Sequence, residues 1–361
     1  MGSWLISVFV LGVLILVHEL GHFVVARWSG VRVQRFSIGF GPKLWGWQRH
    51  GTEYVVSLIP LGGYVKLAGE QREPAAASTA ADFITKPASV RARIIAAGPL
   101  VNYLTSIVTL WVVLVIGYPE LLPTVGRLLD GMPAQAAGLQ VGDRVVAVDG
   151  APIHTWDDLT KIVHGTANRS LAVEVDRAGR RLTIPVTPTV QATTDPFGRQ
   201  QRVGLIGIAP RGDFETYRVS PLEAVGKTAA KQLEWTSQMG LSLWSLFTGR
   251  ISPKDSLTGP IGILYLTSEA ARMGLGSLLY LVSLFSLSLA IFNLFPIPVL
   301  DGGHLLFLAL EKLRGRPVSI GVQERATQIS LAVLMTMVVL VCLNDVNRFG
   351  LVDKVLGWWR N

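Results

Sequence analysis

One cysteine, Cys342, occurs in 361 residues. That excludes an internal disulfide framework, and Cys342 lies in an apolar run, where it reads as a small core hydrophobe. Charge is also scarce: Asp, Glu, Lys and Arg make up 16% of the chain, against 50% hydrophobic residues. Mean hydropathy is +0.42. Soluble domains carry about 25% charged residues, so the composition points to a membrane protein. No Lys or Arg precedes Arg27. The basic n-region of a secretory signal is therefore missing, and the first apolar segment is expected to remain as a span. No internal repeat is present.

Apolar runs, by contrast, are plentiful. Leu5–Val17 continues to Trp28, and further segments cover Ile94–Gly117, Leu278–Ile297 and Ala326–Leu343. Each approaches the roughly 20 residues that a helix needs to cross a bilayer. The net charge of +8 would suit nucleic acid, but its distribution argues for topology instead. Residues 27–93 hold 10 basic and 4 acidic residues, 302–325 hold 4 and 2, and 118–277 hold 16 and 15. By the positive-inside rule the first two stretches are expected in the cytoplasm and the third outside. Four crossings satisfy this arrangement, and no nucleic-acid partner is expected.

Between the spans, Arg35–Leu44 and Tyr54–Leu67 are apolar enough to dip into the membrane face. Tyr54–Leu67 reads as two short strands around Pro60-Leu61-Gly62-Gly63, a hairpin signal. Pro74–Ala81 is a low-complexity linker. Residues 122–188 read as a small α+β domain with strands at Thr124–Leu128, Arg144–Val148, Leu171–Val175 and Arg181–Val186. Turns are expected at Asp149-Gly150 and Ala178-Gly179. A helix over Thr155–His164 has Thr155 as its cap and Asp158 three residues on. Pro188–Gln201 reads as a polar linker, and 220–248 as a helix too polar to span, lying at a surface or interface.

The chemistry concentrates in His18-Glu19-Leu20-Gly21-His22. Histidines at i and i+4 share one helix face and can reach one metal, with Glu19 beside them to take a proton from water. A chain of this composition would show HExxH by chance on the order of 0.003 times, and three ionisable groups in a membrane helix mark function. A catalytic zinc takes three protein ligands and keeps an open position. The remaining histidines are His50, His154, His164 and His304, of which His154 and His164 are expected on the wrong side. The better third ligand is Asp301, in Asn293-Leu294-Phe295-Pro296-Ile297-Pro298-Val299-Leu300-Asp301-Gly302-Gly303. Pro296 and Pro298 must interrupt the helix there, and irregular backbone at membrane depth belongs inside protein or along a water-filled cavity. Asn293 would add a side-chain donor. His304 is expected to sit behind the ligands or to face its helix. Both motifs fall near the cytoplasmic side.

At HELGH and NLFPIPVLDGG the chain resembles the site-2 family of intramembrane metalloproteases, in particular the bacterial regulator of sigma-E protease branch. RFSIGFGPKLW, YVVSLIPLGGYVKL and LTGPIGI at 257–263 match as well, and the resemblance covers nearly the whole chain. It implies Zn2+ held by His18, His22 and Asp301, with Glu19 as general base and Asn293 helping to hold substrate. It implies that the 53–67 hairpin, through Tyr54, Val56, Leu58, Gly62 and Gly63, presents an edge to substrate. Met132–Gly150 resembles the PDZ pattern of periplasmic proteases. One such domain is found here, where well-studied members carry two. Its carboxylate-binding loop is expected near Leu121–Val125, although LLPTV lacks the usual glycines.

The expected fold is a polytopic α-helical membrane protein of about four transmembrane helices, with a membrane-dipping β-hairpin and one extracytoplasmic α+β PDZ domain. The expected divisions are 1–117 (first membrane half), 118–200 (PDZ domain and linker), 201–277 (an extracytoplasmic helical segment) and 278–361 (second membrane half). The expected activity is zinc-dependent endopeptidase cleavage within or next to the transmembrane segment of a single-pass membrane protein, such as an anti-sigma factor or remnant signal peptide. The expected setting is the bacterial inner membrane, with the lipid bilayer as partner and the PDZ domain limiting substrate access, either by binding a peptide C-terminus or by a purely steric role. Two rivals are a metal transporter, which an intact HExxH glutamate disfavours, and an idle PDZ adaptor, which would lack ligands that are all present.

Overall fold

A computed structural model describes residues 3–70, 79–195, 200–252 and 258–348. Most of the expected linker at 74–81, and 196–199 of the expected linker at 188–201, lie outside those residues. The chain divides into two compact units. One comprises Met1–Val113, Val225–Gly240 and Ser252–Asn361, and the other Leu114–Ala224 with Leu241–Ile251.

In the first unit, α1 runs over Ser3–Trp28 and α2 over Ala88–Ile116. Among the described residues, Leu5–Trp28, Ala88–Ile116, Leu275–Asn293 and Ile320–Val346 are long and apolar enough to cross a membrane. Such segments are helical because lipid offers no partner for a free N–H or C=O. The third span, here α7 (Leu275–Asn293), is shorter than the apolar pattern suggested. It stops at Asn293 because Pro296 and Pro298 cannot continue it, and α8 begins at Asp301. The α1–α2 crossing is close: a Cβ on Gly21 would lie 2.5 Å from the Ala97 carbonyl oxygen.

The loop after α1 forms two long antiparallel strands, β1 (Val33–Arg49) and β2 (Thr52–Leu67). The chain reverses at His50 and Gly51, both at positive φ, and not at Pro60–Gly63. The two pieces of β2 do not pair with each other as the sequence suggested. Phe36 and Ser37 pair with both Tyr54–Val55 and Tyr64–Val65, so the 33–38 stretch lies between them. The local reason is α1: Gly12 meets the Pro60 carbonyl, and Gly62 packs on Ile15. That contact carries the chain across the helix instead of letting it fold back on itself. Leu44, Trp45, Trp47 and Leu58 are exposed.

The second unit holds a four-stranded antiparallel sheet in the order β6-β5-β7-β8, with β5 at Arg144–Val148, β6 at Ala151–Pro152, β7 at Leu171–Arg177 and β8 at Arg180–Val186. Val145, Val148, Val173, Val175 and Val186 point into its core together with Leu159 and Val163. Those two come from α4 (Trp156–Gly165), which starts with a complete Thr155/Asp158 capping box. The Asp149-Gly150 and Ala178-Gly179 turns both take positive φ.

Three expectations fail here. The linker expected at 188–201 contains β9 (Thr189–Thr194), which pairs with β10 (Gln200–Leu205). Its polarity reflects a ribbon exposed along most of its length. Residues 201–217 are not helical: β11 (Ile208–Pro210) pairs with β4 (Val125–Leu128) and β12 (Phe214–Tyr217) with β3 (Tyr118–Leu121). The Leu121–Val125 stretch is not an open carboxylate loop, because its backbone already bonds Asp213, Asp143 and Arg211, and Pro123 accepts from Val145. The helix expected at 220–248 is present as α5 (Pro221–Phe247).

Candidate metal centre

His18 and His22 lie one turn apart on α1, and their rings meet edge to face at 4.8 Å between centroids. The carboxylate of Asp301 comes to the same point from the first turn of α8. His18 Nε2 lies 3.1 Å from His22 Nε2 and 3.1 Å from Asp301 Oδ2, and His22 Nε2 lies 3.5 Å from the same oxygen. Among the described residues this is the group of His, Cys, Asp or Glu side chains close enough to share an ion.

This triangle suits a tetrahedral metal. Ligand bonds of about 2.0–2.1 Å put neighbouring ligand atoms about 3.3 Å apart in a tetrahedron, and the three observed edges bracket that value. Asp301 Oδ2 is buried and has no hydrogen-bond donor aimed at it, although two ring nitrogens are near. A buried carboxylate oxygen without a donor is costly, and a shared cation would satisfy it. The donor set, two imidazoles and one carboxylate, fits zinc.

The helix partners explain the orientation of the rings. His22 Nδ1 meets the Ile94 carbonyl of α2 at 2.8 Å. A carbonyl can only accept, so Nδ1 carries the proton and Nε2 keeps its lone pair. Gly98 supplies the room: a Cβ there would lie 2.6 Å from His22 Cε1 and 2.8 Å from His18 Cε1. Gly302 and Gly303 pack against the backbone of 294–298, which fixes where α8 starts and so where Asp301 points.

Glu19 stands next to the triangle but outside it. Its Oε2 accepts from the Val65 amide at 3.1 Å. Asn293, the last residue of α7, donates Nδ2 to the Leu289 carbonyl at 3.0 Å and is partly exposed. His304 is exposed on α8 and is not among the converging ligands. Tyr54 and Val56 have partners on both sides, Phe36 with Trp47 and Ile38 with Trp45. They lie inside the sheet and offer no edge. Leu58 is exposed, while Gly62 and Gly63 are buried against α1. Residues 63–67 have partners on one side only in the register, as do 45–49 at the other edge; of the two, 63–67 includes Val65, whose amide bonds Glu19.

The sequence reading missed Ile94, Gly98 and Asn102. A visible signal existed, because Gly98-Pro99 followed by Asn102 interrupts an apolar span and polar residues in spans tend to be functional.

The sequence pattern of peptidase family M50 matches residues 6–337. A protein of Rhizobium meliloti, provisionally named a zinc metalloprotease, is 37% identical over 94% of this chain and 95% of its own. One of Brucella suis with the same provisional name is 36% identical over 95% of each. The regulator of sigma E protease of Salmonella typhimurium is 33% identical over 96% of this chain and 99% of its own. That last alignment spans 450 positions against 361 residues here, so the relative carries a stretch this chain lacks.

Proposed function

The chain belongs to peptidase family M50, and from that premise we propose that it is an intramembrane zinc endopeptidase cutting within or next to the transmembrane segment of a single-pass membrane protein. It is a metalloprotease with zinc as its metal, in a multi-pass membrane chain. The observation that carries the site assignment is the triangle of His18 Nε2, His22 Nε2 and Asp301 Oδ2, with edges of 3.1, 3.1 and 3.5 Å.

His18, His22 and Asp301 would hold the zinc. When bound, zinc supplies Lewis acidity toward the scissile carbonyl and lowers the pKa of water to about 7. Glu19 takes a proton from the attacking water and gives it to the leaving amine nitrogen, while the Val65 amide keeps its carboxylate in place. Asn293 turns its amide toward the substrate and donates to the developing oxyanion. A helical substrate must unwind at the cut, because its own hydrogen bonds shield the carbonyl. The 63–67 stretch, with Gly62 leading into it, would receive the extended segment as an added strand.

The charge pattern supports residues 27–93 and 302–325 in the cytoplasm and 118–277 outside, in a bacterial inner membrane. The α+β unit, read as a single PDZ domain, would limit which substrates reach the site, by bulk or by holding a peptide. Substrates of this class include anti-sigma factors and remnant signal peptides.

The test is co-expression of the full chain with tagged single-pass membrane proteins, comparing wild type with Glu19→Gln and Asp301→Asn. Glu19→Gln should keep about one zinc per chain and release no fragment, and Asp301→Asn should lose both. Cleavage by Glu19→Gln at the wild-type rate would sink the mechanism, and near-stoichiometric zinc in Asp301→Asn would remove Asp301 from the site. Replacing 122–188 with a flexible linker should raise cleavage of an untrimmed substrate. If it instead abolishes cleavage of a trimmed one while zinc remains, the unit captures substrate and does not filter it.

A further inference from the structure

Asn102 is fully buried in α2. As placed, its carboxamide Nδ2 lies 3.2 Å from Nδ1 of His18, and the other end of the group, Oδ1, is buried with no hydrogen-bond partner. A half-satisfied carboxamide inside a transmembrane bundle costs free energy, so the contact that remains, the one to His18, requires an explanation.

The chemistry of the ring supplies one. A neutral imidazole carries a single proton. If Nδ1 accepts from the amide, that proton sits on Nε2, and Nε2 cannot ligate. If the carboxamide presents oxygen instead, Nδ1–H donates to it and Nε2 turns a bare lone pair toward His22 and Asp301. The two ends of a carboxamide have the same shape, so one seat accommodates either. His22 is already locked in the second manner, by the Ile94 carbonyl. Ile94, Gly98 and Asn102 follow one another at four-residue steps on α2. One face of this helix thus meets both ligating rings, with the side-chain-free residue between the two contacts. Asn102 is itself held, because Ser286 Oγ of α7 donates to its backbone carbonyl at 2.8 Å.

We infer that Asn102 is a positioning residue for the metal centre: with its carboxamide turned end for end, Oδ1 accepts a hydrogen bond from His18 Nδ1–H and so keeps His18 Nε2 available as a ligand. This rests on reading His18, His22 and Asp301 as the zinc site. Outer partners of this kind typically contribute 10- to 100-fold in metal affinity. Asp at position 102 would accept the same proton, whereas Leu, similar in size, would not.

The experiment measures zinc affinity of the full-length protein in detergent by competition with a chromophoric zinc chelator, with no peptidase assay involved. Asn102→Leu should bind zinc about 10- to 100-fold more weakly, and Asn102→Asp should stay within about threefold of wild type. If Asn102→Leu does not yield a monodisperse protein, Asn102→Ala takes its place with the same expectation. Affinity within about twofold of wild type in Asn102→Leu overturns the inference. So does an Asn102→Asp affinity as weak as that of Asn102→Leu, since the residue would then only fill space. His18→Ala separates the two levels: if it retains zinc, the site reading itself fails, whatever Asn102 does.

Discussion

The backbone amide of Val65 donates to the carboxylate of Glu19 at 3.1 Å, so a strand of the β1–β2 sheet holds the side chain assigned as general base. Proline at position 65 would remove that donor. A hydrogen bond to a charged group contributes about 1.5–3 kcal/mol, and about 1.4 kcal/mol corresponds to tenfold in rate. Val65→Pro should therefore lower cleavage about tenfold or more while zinc content stays at the wild-type level. Reporter cleavage and elemental analysis of the same preparation measure both, and unchanged cleavage would show that Glu19 needs no such support.

Gly98 faces both imidazoles. A methyl group there would lie 2.6 Å from His22 Cε1 and 2.8 Å from His18 Cε1, and at that separation the rings must move. Gly98→Ala should lose zinc and activity together. Gly226 in α5 has nothing within 4 Å of an added Cβ, so Gly226→Ala should keep both and resist heat slightly better. Full zinc in Gly98→Ala would mean that the two helices separate easily there.

Asp143 in the α+β unit is 1% exposed on its side chain and pairs with Arg177 at 2.7 Å. It also accepts from the Gln140 amide at 2.9 Å. Burial raises its pKa, but the Arg177 guanidinium and the amide outweigh that and hold the carboxyl below its ordinary value. The sign follows: a depressed folded pKa stabilises above the unfolded value of about 3.9, and the contribution disappears as pH falls through the folded one. Asp143→Ala should cost about 1.5–3 kcal/mol near neutrality, read as faster hydrogen exchange across 144–186. The difference from wild type should shrink below about pH 4. A gap that persists unchanged in acid would assign the loss to packing.

Orientation is testable with Cys342 first replaced. A cysteine at Arg180 should react with an impermeant thiol reagent added outside, and one at Arg316 should react only after permeabilisation. Both positions are exposed. The reverse pattern would invert the positive-inside assignment.

What was legible in the sequence was whatever depends on short-range pattern. HELGH placed two imidazoles on one helical face, and the paired prolines ended a span just before Asp301. In the α+β unit, alternation and turn glycines marked β5, β7 and β8. The sheet between the first two spans was harder, because the placing of Phe36 between Tyr54 and Val65 is a long-range register that no local signal encodes. The β9–β10 ribbon read as linker because it buries too little to show a two-residue period. Asn102 was visible as a polar residue in a span, but its partner lies 84 residues away.

The start of α8 has a consequence for how this chain tolerates change. Asp301 is aimed by backbone resting on backbone, since Gly302 and Gly303 lie directly on the carbonyls of Leu294, Phe295 and Ile297. The span from Asn293 to Asp301 therefore works as a gauge of fixed length. Substituting an outward side chain within it leaves the gauge as it was, whereas adding or removing a single residue resets it and swings the carboxylate away from α1. Any protein built on the same plan should accordingly vary in spelling between its last helical asparagine and its aspartate, and hardly at all in count.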